Sequence, residues 1–208
     1  MLADRLVWSY YLGMDQVTGK TTVRQRLVET ATRLFYENGY RATGINEVIR
    51  EAGIAKASFY AHFKTKEDLL VTCLEQRHNQ MMAQVQAFIA DARSPAERVR
   101  RLFVWLGDPQ SCGSRGCPYL NMASEFQDAG SRVREVVRWH KCSFRNMLRD
   151  ILALHFMGKN KTTEQVEQAA EELYLLLEGA LAASPVHCCS WPVETALRIA
   201  EDRFQLGG

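Results

Sequence analysis

The residues best suited to covalent chemistry in this chain are its six cysteines, at positions 73, 112, 117, 142, 188 and 189. Cys117 stands apart because Pro118 follows it directly. Proline suits the first turn of a helix, so the thiol is predicted to sit at a helix cap. The positive end of that helix, with Arg115 nearby, favours the thiolate, which is the nucleophilic form. Cys112, on a glycine-rich stretch just upstream, could then act as a resolving partner. The competing reading is a structural cysteine buried beside a pocket. A metal centre would have to draw on His187, Cys188 and Cys189 together with Cys112 and Cys117. Adjacent cysteines point in different directions and no Cys-x-x-Cys pair exists, so no metal site is expected. The chain also lacks a phosphate-binding loop, a dinucleotide fingerprint, a nucleophile elbow and a zinc-protease motif. Neither a cofactor nor an enzymatic activity is expected.

Non-covalent chemistry concentrates near the other end. From Lys20 to Lys66 nine bases face four acids, a net charge of +5 in a chain whose total is only +2. A basic module joined to an acidic remainder suits nucleic acid at one end. Within it, residues 45–63 read as a short helix, a glycine-containing turn and a second short helix. Gly53 can take the left-handed backbone that such a turn demands. Ile45, Val48, Ala52, Ile54 and Phe59 would fix the angle between the two helices. The second would then present Lys56, Ala57, Ser58, Tyr60 and His62 to a DNA major groove. Lys56 and Ser58 can hydrogen-bond base edges or phosphates, and Ala57 can meet a thymine methyl. Tyr60, His62, Thr43 and Lys66 read as phosphate contacts that fix register. The alternative is a plain helical hairpin with a solvated face.

The elements that must position these groups are helical nearly throughout. Leu27, Ala31, Leu34 and Phe35 form an apolar stripe closed by Asn38-Gly39, a C-terminal cap signal. Thr65 is placed to cap a long helix whose first turn holds Glu67 and Asp68. Ser94-Pro95-Ala96-Glu97 marks another start. Pro118 opens a helix to about residue 129, Ser131 one to about 157, and Thr162 or Thr163 the next. Pro185 and Pro192 are expected to bracket a loop before a last helix over residues 193–204. No strand alternation or internal repeat is present, so the fold class is all-α. Residues 1–19 read as an extension, 20–66 as the DNA-binding module and 67–208 as the remainder. No segment reaches the roughly 20 apolar residues of a membrane span. The apolar opening run Leu6 to Met14 lacks the basic flank of a signal peptide, so no membrane association and a cytoplasmic location are expected.

Arg33-Leu-Phe-Tyr-Glu-Asn-Gly-Tyr40, Thr43, Glu51-Ala-Gly-Ile54 and Ser58-Phe-Tyr-Ala-His-Phe-Lys-Thr-Lys-Glu-Asp-Leu-Leu70 occur in order and at family spacing. Over residues 22–80 the chain resembles the DNA-binding domain of TetR/AcrR-family transcriptional regulators. The resemblance implies a three-helix helix-turn-helix head followed by a helical ligand-binding and dimerisation domain. It also implies a homodimer that usually represses from a palindromic operator and is released by a small-molecule effector. Asn46, Lys56, Ala57 and Ser58 match groove-facing positions, and Thr43, Tyr60, His62 and Lys66 match backbone-contacting ones. The sequence departs from the family at Gly44, where a hydroxyl residue commonly starts the second helix; Thr43 is the substitute cap.

The last two helices of such proteins pair across a two-fold axis. Leu173, Leu177, Ala180 and Leu181, with Val193, Leu197 and Phe204, are the candidates for that face; filling a monomer core is the alternative. Aromatic and soft residues in the C-terminal half supply a candidate apolar pocket: Trp105, Cys117, Tyr119, Met122, Phe126 and Phe144, with Asn121 and His140 as polar anchors. Gly116-Cys117-Pro-Tyr-Leu-Asn121 is also similar to a Gly-Cys motif of family members that respond to electrophiles.

Overall fold

A computed structural model describes residues 21–108 and 115–206, which form helices joined by short connections. The extension expected over residues 1–19, and Cys112, lie outside the described residues. In chain order the helices are α1 (Val23–Asn38), α2 (Ile45–Glu51), α3 (Lys56–His62), α4 (Lys66–Ile89), α5 (Pro95–Gly107), α6 (Pro118–Glu125), α7 (Arg132–His155), α8 (Thr163–His187) and α9 (Trp191–Phe204). None of them is long and apolar enough to cross a membrane.

The described residues fall into two compact units. The first comprises 21–80 and 118–139, the second 81–108, 115–117 and 140–206. This division departs from the boundary expected at residues 66 and 67, because α6 and the first turns of α7 pack with the N-terminal helices. Helices α4 and α7 contribute residues to both units.

In the first unit α1 starts on a reciprocal cap. The Thr22 hydroxyl accepts from Gln25 N–H, and the Gln25 side chain accepts from Thr22 N–H. Such a cap contributes about 1 kcal/mol. The helix buries Leu27, Val28, Ala31, Leu34, Phe35 and Tyr36. It ends at Gly39, whose φ of +89° and ψ of +158° belong to a region open essentially to glycine alone. Helix α4 starts as expected on Thr65, whose backbone and hydroxyl both donate to the Asp68 carboxylate while Asp68 N–H donates to the hydroxyl. Helix α6 ends at Glu125, short of the expected residue 129.

The second unit has one apolar core running from Val85 and Ile89 through Val99, Leu102, Phe103 and Trp105 to Phe144, Leu148, Leu152, Leu173, Leu177, Ala200 and Phe204. Ser94 caps α5, with Pro95 at the first helical position. Thr162 caps α8 reciprocally with Gln165. The loop expected to begin at Pro185 is still helix, because that proline sits in the final turn of α8. The connection to α9 is only residues 188–190, made possible by Cys188 in the left-handed conformation.

Candidate DNA-binding site

Helices α2 and α3 are seven residues each, too short to be stable alone, so packing must impose their geometry. Val48 and Phe59 are completely buried and Ile49 and Phe63 nearly so. Burying a Phe or Val side chain contributes about 1.5–3 kcal/mol, which outweighs the weak local preferences of the two helices. Between them Ala52, Gly53 and Ile54 make the turn. Gly53 has φ +63°, Gly53 N–H donates to Arg50 C=O and Ile54 N–H to Ile49 C=O, which closes the end of α2. The left-handed turn read from the sequence is therefore present.

The turn leaves one side of α3 in solvent. Lys56, Ala57, Tyr60 and His62 are exposed, Asn46 is exposed on α2, and Ser58 is half-buried. Tyr60 leans edge-on against Phe59 at 5.2 Å between ring centroids, so its ring direction is set by the core beneath it. These six residues are brought to the surface of one helix pair, as a groove-reading face requires.

Two expected contacts are corrected. Thr43 has no exposed surface, and its hydroxyl donates towards Leu34 C=O at 3.2 Å and Gly39 C=O at 2.8 Å. It can neither touch a phosphate with its side chain nor cap α2, whose N-cap Gly44 has no side-chain hydrogen bond. Lys66 is also committed inward. Its Nζ donates to Tyr40 C=O at 2.8 Å and Thr43 C=O at 3.0 Å, and lies 4.0 Å from the centre of the Tyr40 ring. Burial pulls its ammonium below the ordinary lysine range, with Glu125 opposing that. Both residues shape the loop that enters α2. Composition signalled their polarity but not that the partners were main-chain carbonyls.

The expected pocket residues divide between the units. Tyr119, Asn121, Met122 and Phe126 belong to the first unit, and Trp105, Cys117, His140 and Phe144 to the second. Tyr119 is buried with its hydroxyl donating to Leu74 C=O at 3.0 Å, and Phe126 packs on Tyr40 at 4.9 Å. Those two are structural parts of the first unit. In the second unit Trp105, Cys117, His140 and Phe144 are all buried, and the Trp105 indole N–H has no acceptor among the described residues. The Cys117 sulfur lies 3.5 Å from Lys141 Nζ, which also donates to both carboxylate oxygens of Glu178 at 2.6 and 2.7 Å. Burial works against the Lys141 charge, but Cys117 and Glu178 outweigh it and hold the ammonium above its ordinary range. Lys141 and Glu178 were not singled out in the sequence, since nothing local marks residues 37 apart as partners. Among the described residues no group of three or more His, Cys, Asp or Glu side chains could hold a metal.

Five of the seven residues expected at the dimer face are also corrected. Leu173, Leu177, Ala180, Val193 and Phe204 are buried inside the protomer, where α8 and α9 pack on one another and on α5, and Leu181 and Leu197 are half-buried against the same core. The sides of these helices left in solvent carry Leu175, Gly179, Ala182 and Val186 on α8, and Trp191 and Ile199 on α9.

The family model of bacterial regulatory proteins of the tetR family matches residues 27–73, and that of the tetracyclin repressor-like C-terminal domain matches residues 95–200. The chain belongs to the TetR family. Its helix-turn-helix therefore lies inside the first matched segment, and Cys117, Lys141 and Glu178 inside the second. A TetR-family transcriptional regulator from Streptomyces coelicolor superposes with a TM-score of 0.78 at 31% identity, covering 88% of this chain and 94% of that one. The HTH-type transcriptional regulator YxaF of Bacillus subtilis is 30% identical over 172 residues, 81% of this chain and 87% of its own. The HTH-type transcriptional repressor DhaR of Mycobacterium sp. (strain GP1) is 28% identical over 116 residues, so the chain spans 58% of that relative's length.

Proposed function

We propose that this TetR-family protein is a transcriptional repressor that binds a palindromic operator as a homodimer and is released by a small apolar or electrophilic effector. The observation that carries the DNA-binding part is the exposed row Lys56, Ala57, Tyr60 and His62 on a helix whose opposite side, Phe59, is locked in the core. Base-edge contacts come from Lys56, Ala57, Ser58 and Asn46, and phosphate contacts from Tyr60 and His62. A two-fold dimer would set two such helices about 34–36 Å apart, one turn of DNA. The stripe Leu175, Gly179, Ala182 and Val186 supports a dimer face on α8, because its four-three-four spacing lines one side of a helix. Gly179 has nothing among the described residues within 4 Å of the position a Cβ would take, which supports room there for a second helix.

For the effector, two features of the second unit support the reading. The buried Trp105 N–H, which has no acceptor among the described residues, favours a ligand with a hydrogen-bond acceptor among apolar groups. The Cys117 sulfur beside the Lys141 ammonium favours a soft electrophile as the alternative class.

The test is selection of a binding duplex from a random library by the full chain. Lys56→Ala and Tyr60→Phe are then measured on the recovered duplex by fluorescence anisotropy. Both should weaken binding several-fold with unchanged circular dichroism; unaltered affinity in both would remove α3 as the reading helix. Cys117→Ser should bind the duplex normally, yet no longer be released by N-ethylmaleimide.

A further inference from the structure

The loop between α1 and α2 is gripped by charges that come from elsewhere in the chain. On one side the Glu125 carboxylate, the last residue of α6, accepts Tyr40 N–H on one oxygen at 2.9 Å and Arg41 N–H on the other at 2.7 Å. Arg41 returns the contact by donating from its guanidinium to Glu125 C=O at 2.8 Å. Lys66, from α4, donates to the carbonyls of Tyr40 and Thr43. Tyr40 itself is held between Phe35 at 5.4 Å and Phe126 at 4.9 Å. Gly39 completes the fit, because a Cβ there would stand 3.0 Å from Glu125 Oε1. The segment so clamped runs directly into Gly44, the N-cap of α2.

The Glu125 half of this clamp uses a feature of the carboxylate. A carboxylate is an acceptor on both oxygens, so it can serve two parallel N–H groups at once. A glutamine of the same shape serves one and turns its own NH2 donors towards the other. An aspartate is one methylene too short to reach from the end of α6. The contact spans 85 residues of sequence and joins α6 to the helix-turn-helix within one compact unit.

We infer that Glu125 is a positioning residue for operator recognition: by pinning the amides of Tyr40 and Arg41 it sets the entry of α2, and through it the presentation of α3. It touches no DNA, and its effect runs through main-chain geometry. The state of α6 and the state of the reading helices are consequently linked, and the linkage is reciprocal. This inference rests on the DNA-binding reading of α3 proposed above.

The experiment compares the full-length protein with Glu125→Gln and Glu125→Ala, using the duplex recovered by selection. Three measurements are made: thermal unfolding, anisotropy with the duplex, and amide hydrogen exchange with and without it. Glu125→Gln should remain folded, weaken duplex binding about 10-fold, and speed exchange at Tyr40 and Arg41. In the wild type, saturating duplex should slow exchange over residues 118–125; in Glu125→Gln, at a duplex concentration that saturates it, that slowing should disappear. A purely stabilising contact would not move this last readout. Duplex affinity within twofold of the wild type, with the two amides still protected, would overturn the inference, as would a preserved response over residues 118–125. If Glu125→Ala alone unfolds, Glu125→Gln decides the matter. Should the wild type recover no duplex, the DNA-binding reading fails instead, and exchange at Tyr40 and Arg41 still tests the clamp.

Discussion

Replacing Glu178 by leucine would leave the Lys141 ammonium in a site built for an ion pair. The two side chains are 15% and 19% exposed, and both carboxylate oxygens lie within 2.7 Å of Nζ. Breaking a buried pair by removing one partner costs 3–5 kcal/mol, because the other charge stays desolvated. The residual exposure here puts the expected loss at the low end, about 3 kcal/mol. With a urea dependence of about 2 kcal/mol/M, the unfolding midpoint should fall by about 1.5 M at fixed protein concentration. The double variant Lys141→Met with Glu178→Leu should recover most of that, since no charge remains unpaired. The pH dependence has a definite sign. Lys141 is held above the ordinary value of 10.5, so its folded form binds the proton more tightly than the unfolded form. Its contribution is complete below pH 10.5 and is lost as pH rises through the folded-state value. The Lys141 share of the difference in midpoint between wild type and Lys141→Met should shrink as pH rises above about 10.5. A Glu178→Leu midpoint within about 0.3 M of wild type, or a difference that grows with alkalinity, would refute the assignment of a buried, mutually dependent pair.

Other perturbations probe the first unit and the remaining thiols. Gly39→Ala must place a Cβ 3.0 Å from Glu125 Oε1 at a φ of +89°, and should destabilise by about 2 kcal/mol in urea titrations; unchanged stability would mean that the loop relaxes freely. Tyr119→Phe deletes the hydroxyl that donates to Leu74 C=O and leaves that carbonyl buried, at a cost of about 1 kcal/mol seen as a lower thermal midpoint. Burial pushes the Cys73 thiol up to about 12, so at pH 8 iodoacetamide should modify the exposed Cys142, Cys188 and Cys189 and spare Cys73, as read by peptide mass spectrometry. Early alkylation of Cys73 would show that the core around it opens readily.

How far the sequence could be read depended on whether each signal was local. Caps at Thr65, Ser94 and Thr162 involve partners three residues away, and all three were legible. The turn at Gly53 was legible for the same reason, since a left-handed backbone between two apolar runs is a local demand. Apolar stripes gave the helices but not what they face. Leu173, Leu177 and Ala180 read equally well as an interface between subunits and as the protomer core they form, because burial is nondirectional. Polar residues misled where their partners were distant main-chain groups. Thr43 and Lys66 carry the side chains of phosphate ligands, yet their donors are spent on the carbonyls of residues 34, 39, 40 and 43. Pro185 misled in the opposite way. Proline breaks helices at their middles, but in the final turn of α8 it displaces little. Glu125 carried no signal at all, because its acceptor role exists only once Tyr40 and Arg41 are folded against it.

These two kinds of polar residue, those that meet DNA and those that aim the helix, are separable by salt. Each phosphate neutralised by a bound cation contributes a slope of about −0.9 to the dependence of log affinity on log salt. With Lys56 at a base edge, Lys56→Ala should weaken binding with little change of slope; a slope flattened by about one unit would move Lys56 to the phosphates instead. Glu125→Gln and Gly39→Ala change none of the proposed contact residues Asn46, Lys56, Ala57, Ser58, Tyr60 and His62. Their affinity loss should therefore appear as a parallel offset, equal at low and high salt. A parallel offset for both, beside several-fold losses for Lys56→Ala and Tyr60→Phe, would mean that recognition depends on a contact surface of a few exposed side chains and separately on a clamp that never touches the nucleic acid. A flattened slope in Glu125→Gln would mean that the loop residues Tyr40 and Arg41 reach the phosphates themselves, and the division between aiming and touching would have to be abandoned.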